Sequence, residues 1–273
     1  MKSIIAYVLL GVMQGVTEPI PVSSSGHVLI LQTILKRLNQ TISIDFETLA
    51  TITNFGSLIA IIIIYRKSIV KLLKGFFRYL LKDKSSKKDF NYSLKVIIAT
   101  IPAGIVGLVV AKLDLFEVLE KNIKFVGVML LVTSIFLYLI KDFKGKKDND
   151  EITIKDSIII GLSQMISIIP GISRSGATIV GGMFRNLKRS SAFDFSFILY
   201  IPISIATSIL GVKDLLEVSI SSSTWILYII AAILSLIFTY IFTLWFRKIV
   251  KEGKLIYFSV YCLVLGLIVI IFL

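Results

Sequence analysis

Gln14-Gly15-Val16-Thr17-Glu18-Pro19-Ile20-Pro21-Val22-Ser23-Ser24-Ser25-Gly26-His27 interrupts an apolar run that otherwise extends from about residue 3 to residue 37. Two prolines, two glycines and three consecutive serines break a helix there, because proline cannot donate to the ladder and glycine is a poor helix former. In lipid such a break is tolerable only where protein or a water-filled cavity satisfies the freed backbone groups. The stretch therefore predicts a re-entrant helix-loop-helix hairpin with a polar tip. A second stretch, Pro170-Gly171-Ile172-Ser173-Arg174-Ser175-Gly176-Ala177-Thr178, interrupts residues 156 to 187 in the same way. The two match at a constant offset of 150 residues: Gly11, Gln14, Ser23, Ser25 and Gly26 fall on Gly161, Gln164, Ser173, Ser175 and Gly176.

Outward from these breaks the chain is unbroken membrane helix. Segments at about 47 to 65, 92 to 111, 123 to 140, 192 to 211, 225 to 246 and 255 to 273 each reach or approach the roughly 20 apolar residues that cross a hydrocarbon core. Each hairpin is followed by three spans. Three is odd, so the second copy enters the membrane from the opposite face, which is an inverted-topology repeat. The expected fold is an all-α polytopic membrane protein with six transmembrane helices and two re-entrant hairpins. Residues 1 to 273 form a single membrane domain whose repeat halves are about 1 to 140 and 151 to 273.

Composition agrees. The 273 residues are 56% apolar and 17% charged, with a mean hydropathy of +0.89. A soluble domain carries about a quarter charged residues, so a soluble globular enzyme is excluded. The formal charge of +13 is concentrated beside the spans: residues 66 to 90 hold nine Lys/Arg, 141 to 155 five, 185 to 189 three and 247 to 254 four. That is the pattern of cytoplasmic loops rather than of a nucleic-acid surface, and nucleic acid is not an expected partner. Residues 1 to 46 and Leu273 then face outward, and the first hairpin dips in from outside while the second rises from the cytoplasm. Their tips are expected to meet near the midplane, where inverted repeats place a site. Cys262 has no disulfide partner within the chain, and no small-x-small cleavage site follows Lys2, so the N-terminus is expected to be retained.

The tips carry the chemistry. An ionisable residue at membrane depth costs about 2.5 to 3.5 kcal/mol on insertion scales and marks function by default. Glu18, His27 and Arg174 are of this kind. Arg174 stands at an expected helix start between Ser173 and Ser175, where successive backbone N–H groups and a guanidinium fork suit a phosphate. The competing role is an ion pair that only neutralises Glu18 across the repeat. Ser23, Ser25, Ser173 and Ser175 are candidate phosphate contacts or helix caps, and Gly26 is a candidate substrate contact beside them. Glu18 follows Gln14 by four residues, so a helix puts both on one face, where they can hold a hard divalent cation, Mg²⁺ or Ca²⁺, or orient a water. His27 lies three residues after Ser24. The Ser24 hydroxyl is a candidate nucleophile with His27 as its base, and His27 is equally a candidate nucleophile or acid for the leaving group. Thr178 and Asn54 are weaker candidates for substrate contact. Asn54 has interhelical hydrogen bonding as its alternative.

The strings Gln14–His27 and Pro170–Ile179, 150 residues apart across six spans, closely resemble the undecaprenyl-diphosphatase family, also called the bacitracin-resistance proteins. The resemblance covers essentially the whole chain. It implies an integral membrane phosphatase of the bacterial plasma membrane that removes one phosphate from undecaprenyl diphosphate and recycles the lipid carrier for peptidoglycan and other envelope polymers. The family's first motif has Glu or Gln followed four residues later by Glu, here Gln14 and Glu18. Its serine-glycine-histidine run falls on Ser23, Ser24, Ser25, Gly26 and His27, and its phosphate-binding arginine motif on Ser173, Arg174, Ser175 and Thr178. Ile172 stands where the family usually has Thr. A homodimer and an outward-facing active site complete the expectations. The rival from another class is a transporter or flippase of a phosphorylated prenyl lipid, since broken helices in inverted repeats are a common transporter design. Transport does not require a base-nucleophile pair facing an arginine clamp.

Overall fold

The computed structural model describes residues 2–38, 45–113, 122–217 and 220–273. These residues form ten α-helices: α1 (Lys2–Thr17), α2 (Ser24–Leu38), α3 (Phe46–Leu80), α4 (Lys87–Lys112), α5 (Ile123–Leu139), α6 (Ile154–Ile166), α7 (Arg174–Phe184), α8 (Arg189–Glu217), α9 (Ser222–Glu252) and α10 (Ile256–Phe272). Helices α3, α4, α8 and α9 contain apolar stretches long enough to cross a bilayer, and α5 and α10 are shorter, predominantly apolar helices of 17 residues each. The chain is a multi-pass helical membrane protein.

Two helices outrun their apolar cores. The basic segment after residue 65 was expected to be a loop, yet α3 continues to Leu80, and α9 runs on to Glu252 before Gly253 ends it in the left-handed conformation (φ 78°). Lys and Arg are good helix formers, so nothing in these segments stops a helix that has already nucleated inside the membrane.

Both broken segments fold as helix, turn, helix. In the first, α1 ends at Thr17 and α2 starts at Ser24, with Ser23 at φ 70°, an uncommon value for a residue with a side chain. In the second, Gly171 takes φ 95°, and a β-carbon there would lie 2.6 Å from Met129 Cβ, so only glycine fits. The backbone groups freed at this break are met by α5: Thr133 Oγ1 donates to the Gly171 carbonyl (3.0 Å) and accepts from the Ser173 amide (3.1 Å). This is how a helix interruption survives away from water.

Packing crosses between the repeat halves. Helix α1 lies along α9, and its counterpart α6 lies along α4. Both contacts depend on a repeat-related glycine: a β-carbon on Gly11 would sit 2.5 Å from the Ala231 carbonyl oxygen, and one on Gly161 would sit 2.5 Å from that of Ala99. Small residues at such crossings let helices approach where no hydrophobic force drives them together. Asn54 Nδ2 donates to Ser204 Oγ (3.2 Å), which links α3 to α8 at positions 150 residues apart.

Contacts at one end of the bundle gather the four basic segments. Lys88 pairs with Asp150, Lys188 with Asp148, Arg247 with Asp194, and Arg189 donates to the Lys141 carbonyl and lies against Gly253. At another point, Arg37 at the end of α2 reaches the carbonyl of Leu273 (2.6 Å).

Candidate active site

The two tips touch. Ser175 Oγ donates to the Ile20 carbonyl (3.3 Å). A β-carbon on Gly26 would meet Gly171 Cα at 3.4 Å, and one on Gly176 would meet Pro21 Cβ at 3.4 Å, so each tip presses its glycine against the other.

Glu18 stands at this junction with its side chain 9% exposed. Its Oε1 accepts from Arg174 Nη2 at 2.8 Å, and its Oε2 accepts from Gln14 Nε2 at 2.9 Å and Ser24 Oγ at 2.7 Å. Gln14 is one turn earlier on α1, where the four-residue spacing puts it. Ser24 and Arg174 are repeat-equivalent first residues of α2 and α7, and both converge on this one carboxylate. The counterpart of Glu18 in the second half is Ile168, which supplies no competing charge.

Arg174 lies with its guanidinium 4.1 Å from the centre of the Tyr200 ring and 5.9 Å from that of Phe197, a cation–π arrangement that holds the plane. Tyr200 donates its hydroxyl to Asn54 Oδ1 (3.0 Å). Asn54 therefore meets the site through Tyr200 and also donates to Ser204. While Nη2 of Arg174 serves Glu18, its Nη1 is buried with no hydrogen-bond partner in the protein.

The remaining serines divide between caps and braces. Ser23 Oγ accepts from the Gly26 amide (3.3 Å) and Ser173 Oγ from the Gly176 amide (3.1 Å), so both cap the helices that follow. Each also lies 3.3 Å from the hydroxyl two residues on, Ser25 and Ser175 respectively. Ser25 is exposed, whereas Ser175 is buried against Ile20. Thr178 Oγ1 bonds to the Arg174 carbonyl (2.9 Å) and to Ser196 Oγ (2.6 Å), bracing α7 against α8.

His27 is buried and faces away from Ser24. Its Nδ1 lies 2.7 Å from the Ser23 carbonyl and its Nε2 lies 2.7 Å from the Tyr261 hydroxyl. Ser24 instead gives its proton to Glu18, so the carboxylate, not the imidazole, is the base that touches the serine in this arrangement. Three aromatic residues of the site, Phe197, Tyr200 and Tyr261, were not singled out by sequence. Each lies within a long apolar helix, and nothing in its spacing separates it from a packing residue.

Among the described residues no group of three or more His, Cys, Asp or Glu side chains converges. The oxygens of Glu18, Gln14 and Ser24 form a sparse set with one carboxylate. This suits Mg²⁺ shared with substrate phosphates better than a cage made wholly of protein.

Fold and site together define a polytopic helical membrane protein with a partly buried carboxylate–serine–arginine centre whose charges suit a phosphate group. The chain belongs to the family described as bacitracin resistance protein BacA, which matches residues 7–268. It is 44% identical over 267 residues to undecaprenyl-diphosphatase 1 of Halalkalibacterium halodurans, covering 97% of this chain and 95% of that protein. Undecaprenyl-diphosphatase 1 of Bacillus licheniformis is 41% identical over 270 residues, with 98% of each chain covered. Undecaprenyl-diphosphatase of Oceanobacillus iheyensis is 38% identical over 272 residues, covering 99% of this chain and 97% of the other.

Proposed function

We propose that the Glu18–Arg174 junction hydrolyses undecaprenyl diphosphate to undecaprenyl phosphate and inorganic phosphate, returning the lipid carrier to cell-wall synthesis. The observation that carries this reading is Arg174, which is partly buried, stacked on Tyr200, paired to Glu18 through one nitrogen and left with a buried, unpartnered Nη1. An arginine serving only to neutralise Glu18 gains nothing from a second buried donor without an acceptor, because such a donor carries its full desolvation cost. A phosphate oxygen supplies the acceptor. Family membership and the names of the relatives point to the same substrate.

In this mechanism the diphosphate enters the polar junction while the isoprenoid tail stays among the helices. Arg174 and the first amides of α7 bind the terminal phosphoryl oxygens, whose charge they match. Glu18 Oε2 takes the proton of the Ser24 hydroxyl, or of a water held in the same place, as the oxygen attacks the terminal phosphorus. The bond from that phosphorus to the bridging oxygen breaks, and undecaprenyl phosphate leaves. If Ser24 attacks, a water then releases the phosphate. Gln14 holds the carboxylate in position. A divalent cation bound by Glu18 and Gln14 would neutralise phosphate charge.

We read α3, α4, α5, α8, α9 and α10 as six spans, and the α1–α2 and α6–α7 pairs as re-entrant hairpins of opposite entry. The gathering of all four basic segments at one end supports that end as the cytoplasmic side of the plasma membrane. The first hairpin, with Glu18, Ser24 and His27, then opens to the outer face. The deciding experiment is phosphate release from undecaprenyl diphosphate by the purified protein in detergent, where vectorial transport cannot occur. No release above a Glu18→Gln control would overturn the hydrolytic reading and return the transporter to consideration.

A further inference from the structure

His27 is the chain's one histidine, and both of its ring nitrogens are engaged. The Ser23 carbonyl at Nδ1 can only accept, so Nδ1 carries a proton. In the neutral ring Nε2 is then a bare lone pair, and the group facing it at 2.7 Å is the Tyr261 hydroxyl, which can donate. The two rings lie nearly parallel, at 9°, with centres 5.6 Å apart.

Tyr261 is held on a rigid support. Helix α10 packs along α5, where Ser134 Oγ donates to the Ser259 carbonyl (2.7 Å) and Ser259 Oγ donates to the Ser134 carbonyl (2.8 Å). Further along, Gly127 and Gly266 lie backbone to backbone: a β-carbon on Gly266 would stand 2.8 Å from the Gly127 carbonyl oxygen. Cys262, the next residue, is buried beside the Pro21 carbonyl of the first tip. The phenol is therefore fixed relative to the tip.

We propose that Tyr261 is a positioning residue for the reaction: its hydroxyl donates to His27 Nε2 and, with the Ser23 carbonyl, fixes the ring as the Nδ1–H tautomer. Nε2 is then the single nitrogen able to take up a proton. A proton there would reverse the bond without breaking it, Nε2–H donating to the phenol oxygen. The imidazolium forms with both nitrogens still partnered, which a buried histidine requires. The assignment adds His27 to the phosphatase reaction proposed above, in which Glu18 takes the attacking proton: the Tyr261–His27 pair holds the Ser23 carbonyl, and with it the neighbouring Ser24, in place.

Because the chain has one histidine, imidazole-¹⁵N labelling of protein prepared without a histidine tag reports on His27 alone. The wild-type spectrum is expected to show a protonated Nδ1 and an unprotonated, hydrogen-bonded Nε2. A spectrum with Nε2 protonated and Nδ1 bare would overturn the assignment with no variant needed. In Tyr261→Phe, which keeps the ring, the Nε2 signal should move to that of a free lone pair. Its kcat for phosphate release should fall about tenfold, with KM changed less than twofold. Combined with His27→Gln, the tyrosine change should add nothing further. An unchanged nitrogen spectrum in Tyr261→Phe, or losses that multiply in the double variant, would refute the pairing. Full phosphate release by His27→Gln would instead refute the catalytic use of the histidine, whatever the spectrum shows.

Discussion

Replacement of Arg174 separates a phosphate clamp from a mere counter-ion. Arg174→Ala removes two contacts, the 2.8 Å bond to Glu18 Oε1 and the stack on Tyr200, together with the buried Nη1 donor. Its partner carboxylate is 9% exposed and keeps only two neutral donors, Gln14 and Ser24. Taking one partner from a buried pair costs about 3 to 5 kcal/mol, because the remaining charge is left uncompensated. Part of that cost here falls on stability and part on the protonation state of Glu18.

The clamp contributes separately to rate. Losing one preorganised donor to a developing phosphate charge lowers kcat by about 10²- to 10³-fold, which is about 2.7 to 4 kcal/mol. Arg174→Lys should recover only part of it, since an ammonium can pair with Glu18 but cannot also present a second nitrogen in the same plane. The assay is steady-state phosphate release from undecaprenyl diphosphate in detergent, alongside a thermal melt of each variant. If the ion pair were purely structural, Arg174→Ala in the background Glu18→Gln, where no charge is left bare, would restore stability. That double variant lacks the base as well, so it reports on stability alone. An Arg174→Ala protein that melts like wild type and turns over within threefold of it would refute the clamp.

Neighbouring serines should respond differently. Ser24→Ala is expected to lower kcat by 10²-fold or more, on the order of a lost nucleophile or base partner, whereas Ser25→Ala, exposed and remote from Glu18, should change it less than about threefold. Equal losses from both would deny Ser24 its special place. Thorough chelation should abolish phosphate release, and added Mg²⁺ or Ca²⁺ should restore it; full activity after chelation would leave Glu18 acting as a base alone. In a Cys262→Ala background, Ser25→Cys and Lys36→Cys should react in intact cells with a membrane-impermeant thiol reagent, and Lys84→Cys should not. The reverse pattern would turn the topology over.

The scaffold was legible because membranes make backbone breaks conspicuous. Pro19, Pro21, Pro170 and Gly171 stand out within apolar runs, and the 150-residue offset between them pointed to two related hairpins, which the structure folds as α1–α2 and α6–α7. The way side chains pair was less legible. By spacing, Ser24 and His27 sit one turn apart on α2. Helical side chains lean toward the N-terminus, however, so Ser24, as the first residue, reaches back across the break to Glu18. His27 leans likewise and finds the Ser23 carbonyl. Tyr200 and Tyr261 escaped notice because their partners, Arg174 and His27, lie on other helices, and an aromatic residue in an apolar helix has packing as its ordinary use.

The comparison of the two halves also explains why there is one centre and not two. The repeat places Gln14 and Gln164 alike, but Glu18 faces Gln14 whereas Ile168 stands in the equivalent place, and Gln164 is buried with neither amide atom bonded. At the next pair of positions the halves differ again, with Ser24 in one and Arg174 in the other. A twofold-symmetric tip would have set two carboxylates, or two guanidinium groups, against each other at the axis, where like charges repel in a poorly screened interior. Divergence at these two pairs converts the symmetric junction into a carboxylate flanked by one hydroxyl and one cation. The fold thus supplies the convergence, and the differences between its copies supply the chemistry.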